Sequence, residues 1–322
     1  MDNYLTYLYL LTPLHTGGSA NEGNLMGIAR EVHTEFPYMP ASSVRGKVRS
    51  VLEKDSKDNP QESAATSLVF GRRIEDGNQP TEGEIWFADA TLLFFPIASL
   101  SHHMIWITCP LWLERWSRWL APNSQANVRS LIHTCRQHLS KDGRKSAVVS
   151  FEREKLYLQT ALLQPAELAS ENFEIISPEL TGLLEASGLV NLLPERLIVL
   201  PEAECLSLVE TGLLREVRVR LETGSKTVDK GSFRSEEAIP PETVLFFPWG
   251  MKRSQAVAID KDEKDIDKAR AEAEQTQAAK DMLRNIIPDR MSTRLQFGGL
   301  EGLGRGWAEM KSMQITAEEG SR

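Results

Sequence analysis

The stretch Ser42-Ser43-Val44-Arg45-Gly46-Lys47-Val48-Arg49 places three cations and two hydroxyls within eight residues, with no acid among them. Arg45 and Arg49 are four residues apart and share one face if the segment is helical. Ser42 and Ser43 then stand at the helix N-terminus, where backbone N–H groups lack partners. Hydroxyls and guanidinium groups at a helix start make a phosphate site; solvated surface arginines are the other reading. Lys47 points elsewhere on the helix. A second candidate is Gly298 to Gly306, with five glycines in nine residues. Gly298, Gly299 and their neighbours let the backbone approach a ligand closely, Arg305 can clamp a phosphate, and Trp307 can stack or pack; a plain turn is the alternative. The loop has no Gly-Lys-Ser/Thr, so it is not a nucleotide-binding P-loop. The third candidate is His15, at the mouth of a loop carrying Gly17, Gly18, Gly23 and Gly27. It is either an acid–base group or a structural side chain. His102 and His103 are adjacent and point to opposite sides of a strand, so they receive no role.

These residues sit in a chain of 322 residues with 41% hydrophobic and 25% charged residues, an ordinary globular composition with enough apolar side chains for a sizeable core. The formal net charge is -8. That argues against coating nucleic acid through global charge, so any RNA site must concentrate its cations on one face. Cys109, Cys135 and Cys205 are widely spaced and form no CxxC pair. They suggest neither a zinc site nor a disulfide framework, and no metal site is expected. Met1 to Leu14 lacks a basic start and a small-residue cleavage site and reads as a strand. No apolar run is long enough for a membrane helix. The expectation is a cytoplasmic protein with no membrane partner.

The elements that position the candidates follow from periodicity. Tyr4 to Leu11 has strand length and ends at Thr12-Pro13. The glycine-rich loop His15 to Gly27 follows. Serine caps the helix after Pro40, whose apolar positions are Val44, Val48, Val51 and Leu52. Asp55 to Glu62 is polar and exposed. Residues 85–87, 91–95 and 105–108 read as buried strands. Asn123 or Ser124 caps a second helix with an apolar face of Val128, Leu131, Ile132, Cys135 and Leu139; Arg129, His133 and Arg136 lie on its solvated remainder. Glu216 to Leu221 alternates as a half-exposed strand, residues 222–226 turn, and Thr227-Val228 begins the return. Residues 260–285 form a charged, solvated helix. The tail 316–322 is expected to be disordered. Strands interspersed with helices, without internal repeats, make a single α+β domain over residues 1–322.

Several segments, in order, resemble the repeated backbone subunits of the type III-B (Cmr) CRISPR effector, within the RAMP superfamily. They are Leu10-Leu11-Thr12-Pro13-Leu14-His15-Thr16-Gly17-Gly18, then Arg30-Glu31-Val32-His33-Thr34-Glu35-Phe36-Pro37-Tyr38-Met39-Pro40, then Ser42-Ser43-Val44-Arg45-Gly46. Phe70-Gly71, Ala88-Asp89-Ala90, Phe95-Pro96 and Thr108-Cys109-Pro110 follow. Val217-Arg218-Val219-Arg220-Leu221, Lys226-Thr227-Val228-Asp229-Lys230-Gly231, Glu236-Glu237-Ala238-Ile239-Pro240 and the glycine-rich Gly298 to Trp307 complete the series.

The resemblance implies a ferredoxin-like, RRM-related RAMP core with inserted helices and a protruding thumb hairpin, here residues 214–244 with Arg218, Arg220, Lys226, Glu236 and Glu237. It implies several copies stacked along a CRISPR guide RNA, held by the glycine-rich loop and the Ser42–Arg49 helix. The implied partners are the guide RNA, a complementary target RNA, further copies and other effector subunits. Active relatives cleave target RNA with an aspartate in the loop after the first strand. Here Gly17 to Ala29 contains no Asp; the position falls on Leu25, or on Asn24 after a one-residue slip, and Glu22 is the only acid. Ala238 replaces an aromatic residue found in some relatives. The expectation is a guide-binding scaffold without strong nuclease activity. It binds no cofactor tightly and needs a divalent metal only if cleavage occurs. The alternative is an active endoribonuclease with His15 and with Glu22, or an acid from elsewhere, in place of the missing aspartate. A small-molecule-binding α+β protein is a third reading.

Overall fold

A computed structural model describes residues 3–18, 21–22, 25–72, 81–140, 142–151, 155–173, 180, 182–183, 185, 193–220, 222–224, 227–228, 232–252 and 263–315. Its centre is β1 (Asn3–Leu10), hydrogen-bonded antiparallel to β14 (Val244–Met251) on one side and to β16 (Trp307–Gln314) on the other. The next strand beyond β14 is β5 (Thr91–Ser99). The chain passes from β1 through helix α1 (Ala41–Asp55) to β5, and from β14 through α6 (Glu263–Arg290) to β16. The spatial order β16-β1-β14-β5 is that of a β-α-β-β-α-β ferredoxin-like unit. Residues between β5 and β14 form a large insertion. It extends the sheet through β6 (His103–Thr108), β11 (Leu197–Val199), β7 (Ala147–Val149) and β10 (Leu168–Ser170).

β1 is buried on both faces, which is why its sequence reads as a nearly continuous apolar run. Tyr4, Leu8 and Leu10 join one core with Val44, Val48 and Leu52 of α1 and Leu283 and Ile287 of α6. Leu5, Tyr7 and Tyr9 join the opposite core, with Leu113 and Trp116 of α3 (Pro110–Ser117) and Val128, Ile132 and Cys135 of α4 (Pro122–Leu139). One sheet is thus sandwiched between two helical layers. Thr6, fully buried in the middle of β1, is satisfied by Ser312 Oγ at 2.9 Å and by the Trp249 indole N–H at 3.0 Å.

Several expectations are corrected. Helix α1 begins after Pro40 and has no side-chain cap; Ser42 and Ser43 lie inside its first turn, and the Asp89 carboxylate accepts the Ala41 N–H at 2.7 Å. Helix α4 opens on Pro122, whose missing N–H costs nothing at that position, rather than on Asn123 or Ser124. The polar stretch after Asp55 leads into α2 (Pro60–Val69), capped by Asn59. The return strand of the hairpin is β13 (Arg234–Ala238), paired with β12 (Leu214–Arg218) from Leu214–Ala238 to Arg218–Arg234. Thr227 closes only a local turn, accepting the Glu222 N–H at 2.9 Å. The tail 316–322 and Lys226 lie outside the described residues.

Helix α6 departs most from expectation. It runs on through Pro288 to Arg290, and Ala279, Leu283, Ile287 and the following Met291 are buried against the first core. Lys280 is also buried, paired with Glu84 at 2.7 Å and donating to the Lys252 carbonyl at 3.0 Å. The apolar stripe is short because α2 supplies the surface that covers it, and no local pattern announces that contact. All three cysteines are free and buried. Burial, with Glu171 nearby, pushes the Cys135 thiol up to about 12.

Replacing Leu283 by Ala is expected to destabilise the protein by roughly 2–5 kcal/mol. Replacing the exposed Glu272 of the same helix by Ala should stay within about 0.5 kcal/mol. Urea denaturation of both variants separates a packed helix from a solvated one, for which the two changes would be alike.

Candidate nucleic-acid interface

The candidate elements converge at the C-terminal end of β1. Leu14 exchanges both backbone hydrogen bonds with Ile239, at 2.9 Å each. The next residue, His15, accepts the Gly299 N–H at 2.9 Å, and Pro13 accepts the Gly306 N–H at 2.8 Å. Gly298 and Gly306 have φ of 77° and 81°, and a Cβ at either would collide with the carbonyls of His15 or Phe297. Those two glycines are demanded by backbone packing. Gly302 and Gly304 face open space.

His15 is buried, its Cδ2 packed near Gly299, and its Nδ1 lies 2.8 Å from the Glu237 carbonyl. A carbonyl only accepts, so Nδ1 carries the proton. The ring therefore pins the start of the glycine-rich loop to the hairpin base. Leu25, one of the two positions at which the resemblance would put an aspartate, is half-buried in β3 (Leu25–Met26). β3 pairs in parallel with β13 at Ser235 and Glu236, and antiparallel with β2 (Asn21–Glu22). Glu22 is the register partner of Leu25. Asn24 and the Glu22 side chain lie outside the described residues. The described side chains fit a divalent ion poorly: that of Leu25 supplies no oxygen, and one ring nitrogen of His15 is spent on Glu237. Among the described residues no group of three His, Cys, Asp or Glu side chains is placed to hold one.

The hairpin base is held by ion pairs. The Glu237 carboxylate, 3% exposed, is 3.1 Å from Arg30 Nη2 and 3.1 Å from Arg215 Nη2. Glu210, on α5 (Glu202–Gly212), pairs with the same two arginines, with Arg215 at 3.6 Å. Burial alone would lower the Arg30 pKa; the hydrogen bond with Glu210 and the charges of Glu237 and Glu210 outweigh it and leave it raised. Arg218 Nε is 2.8 Å from Glu236 but off the direction of a hydrogen bond. Glu216 takes Arg218 at 3.3 Å and Arg305, from the glycine-rich loop, at 2.5 Å. The Arg220 N–H donates to Ser232 Oγ at 3.0 Å.

On α1, Arg45 is turned inward: Nη1 donates to the Ile85 carbonyl at 2.8 Å and Nη2 to Phe70 at 2.6 Å, with the Phe70 ring beneath. Burial, and secondarily Arg49, holds its pKa below the ordinary value. Arg49 is paired with Glu53 at 2.8 Å. Ser42 and Gly46 are exposed and Ser43 is half-buried. Lys47 spans from α1 to Glu301 of the glycine-rich loop at 3.2 Å, which brings the two candidate elements side by side. Sequence spacing gives no sign of this pair, nor of those that join Arg30, Glu210 and Arg215, whose partners lie far away in the chain.

A profile described as the RAMP superfamily matches residues 7–309. The chain belongs to the RAMP superfamily. A curated RAMP relative, "CRISPR system Cmr endoribonuclease Cmr4" of Pyrococcus furiosus, is 26% identical over 326 residues, covering 100% of this chain and 99% of the relative. Among solved structures, a type III-B Cmr-beta complex in the apo state contains a chain with TM-score 0.68 and 18% identity, covering 97% of each chain. Cmr-beta bound to cognate target RNA gives TM-score 0.67 and 21% identity, covering 96% of each. Oligomeric Cmr4 from Pyrococcus furiosus gives 0.59 and 21%, covering 98% of this chain and 99% of that one. These structures share the RAMP fold, with the ferredoxin-like core described above.

Replacing Glu216 by Ala strands the buried Arg305 guanidinium and is expected to cost about 3 kcal/mol. Replacing Lys47 by Ala removes only a solvent-exposed pair and should cost under about 1 kcal/mol. Chemical denaturation gives both values, and hydrogen exchange should show faster exchange at residues 214–218 and 234–238 in the Glu216 variant alone.

Proposed function

We propose that this RAMP protein is a guide-RNA-binding backbone subunit of a type III-B-like CRISPR effector. It stacks in several copies along the guide, meets a complementary target RNA and other effector subunits, and works in the cytoplasm. The observation that carries the reading is the convergence of α1, the glycine-rich loop and the β12–β13 hairpin at one end of β1, in a chain matched along its whole length by the Cmr relative. Among the described residues no helix is long and apolar enough to cross a membrane.

With Arg45 and Arg305 drawn into the fold, guide contact in this reading passes to the accessible parts of the two elements: Ser42, Gly46 and Lys47 on α1, and Gly302 and Gly304 in the loop. A hydroxyl, one ammonium and close backbone approach at the glycines read phosphate position rather than base identity. The hairpin then acts as the thumb that meets the next copy.

In this reading the subunit shapes the guide–target duplex and cleaves little. Cleavage needs the attacking 2′-hydroxyl activated and the leaving oxygen stabilised. Leu25 does neither, and His15 Nδ1 is committed to Glu237. A second reading has one observation behind it. Glu22 is the register partner of Leu25 in the β2–β3 pair, and cleavage in this reading would use it as the acid.

Single-turnover cleavage of a complementary RNA by the assembled complex with divalent metal separates the two readings. Little or no cutting is expected from the unmodified chain, and Leu25→Asp should raise whatever is seen. Robust cuts at regular spacing, lost in Glu22→Ala, would make the subunit the enzyme. For guide binding, Lys47→Glu should weaken RNA affinity alike for all sequences and flatten the salt dependence by about 0.7, the value for one phosphate of a single strand. An unchanged affinity and slope would remove Lys47 from the guide site.

A further inference from the structure

Arg129, His133 and Arg136 occupy one stripe of α4 at helical spacing, and the interface above uses none of them. The stripe faces α3. Between the two helices lies a cleft of about 400 Å³, bordered by Arg118, Arg129, His133, Arg136 and Glu114 over Ile132. Its charge is unbalanced, with three guanidinium groups against one carboxylate. That carboxylate is already spent, Glu114 Oε2 lying 3.0 Å from Arg136 Nη2. Arg118 and Arg129 are exposed and form no ion pair or hydrogen bond with the described residues. Gln137 donates its amide N–H to His133 Nε2 at 3.0 Å, which leaves the proton of the neutral ring on Nδ1 as a further donor.

On a chain of net charge -8, a concave surface with surplus positive charge draws polyanions to itself. The cations are all arginine, whose planar fork matches the oxygens of a phosphodiester in a way a lysine does not. The row from Arg129 to Arg136 runs roughly 10 Å along the helix, enough for more than one phosphate of an extended strand. A single acidic side chain would need only one of these groups.

The cleft is on the sheet face opposite α1 and α6, so it is distinct from the interface at the end of β1. Ion pairs nevertheless lead from one to the other. Glu237 holds Arg30; the neighbouring Glu31 holds Arg115 at 2.7 Å; and Glu114, next to Arg115, holds Arg136. We propose that the α3–α4 cleft is a second RNA site, holding the phosphodiester backbone of single-stranded RNA that extends past the hairpin. The proposal rests on the RNA-binding reading above.

The test measures binding of a fluorescein-labelled single-stranded RNA to the full chain across salt concentrations. It compares the unmodified chain, Arg118→Glu with Arg129→Glu, the same pair changed to Gln, and Lys47→Glu. The paired Glu variant should lose at least tenfold in affinity, and both paired variants should lower the salt slope by about 1.4, the value for two phosphates of a single strand. The loss should add to that of Lys47→Glu, because the sites are separate. Both arginines are exposed, and the Gln pair decides the matter if charge reversal perturbs folding. Unmodified chain that binds RNA while both pairs bind with unchanged affinity and slope overturns the cleft and leaves the first interface standing. Unmodified chain that binds no RNA overturns both readings. Paired variants that bind RNA normally but fail to join other effector subunits show that the cleft serves an acidic protein surface, which also overturns the proposal.

Discussion

The end of β1 is a backbone crossing on which the rest of the interface depends. Leu14 pairs with Ile239 while Pro13 and His15 accept amide hydrogens from Gly306 and Gly299, so one short segment is bound on two sides by parts of the chain more than two hundred residues away. Buried backbone groups must find partners, and here they do so only because Gly298 and Gly306 carry no side chain. The His15 ring adds a third tie, from its Nδ1 to the Glu237 carbonyl. The glycine-rich loop, the loop after β1 and the base of the hairpin are therefore placed by one set of contacts.

Electrostatics then rigidifies what the backbone has assembled. A buried charge without a partner costs several kcal/mol, and the buried Glu237 and Arg305 are each met by the opposite sign. Arg30, from the turn before α1, and Arg215, from β12, both meet the Glu237 carboxylate, and Glu210 of α5 pairs with the same two arginines. This network explains why an acidic protein carries so many arginines near its interface. Arg30, Arg45, Arg215 and Arg305 hold the fold together, and Lys47 bridges α1 to the glycine-rich loop. Hairpin and loop are tied together because Glu216 is shared between Arg218 and Arg305.

The sheet also decides where a partner has access. The α1, α2 and α6 layer and the α3–α4 layer cover opposite faces, so the α3–α4 cleft is separate from the site at the end of β1. Ion pairs connect the two around the edge, through the turn at Arg30 and Glu31 and along α3. Val217, Val219 and Phe233 stay exposed on the hairpin, 68%, 39% and 51% respectively, an apolar surface beyond the charged base.

Much of this was legible in the residue pattern, because the signals are local. A doubly buried strand reads as an unbroken apolar run, as Tyr4 to Leu10 does. An α-helix repeats its apolar side chains every three or four residues, as Val44, Val48 and Leu52 do. Five glycines together mark a loop of close approach, and the ordered motifs from Leu10 to Trp307 identified the family and its ferredoxin-like core. The missing aspartate between Gly17 and Ala29 was equally plain. What the pattern could not decide was which charges are free. Arg45, Arg49 and Arg305 look like phosphate ligands along the chain, yet Phe70, Ile85, Glu53 and Glu216 claim them in space. The charged helix α6 looked solvated until α2 covered Leu283 and Ile287. Pairings over such distances depend on which surfaces the folded sheet brings together, and no periodicity within one segment encodes its partner.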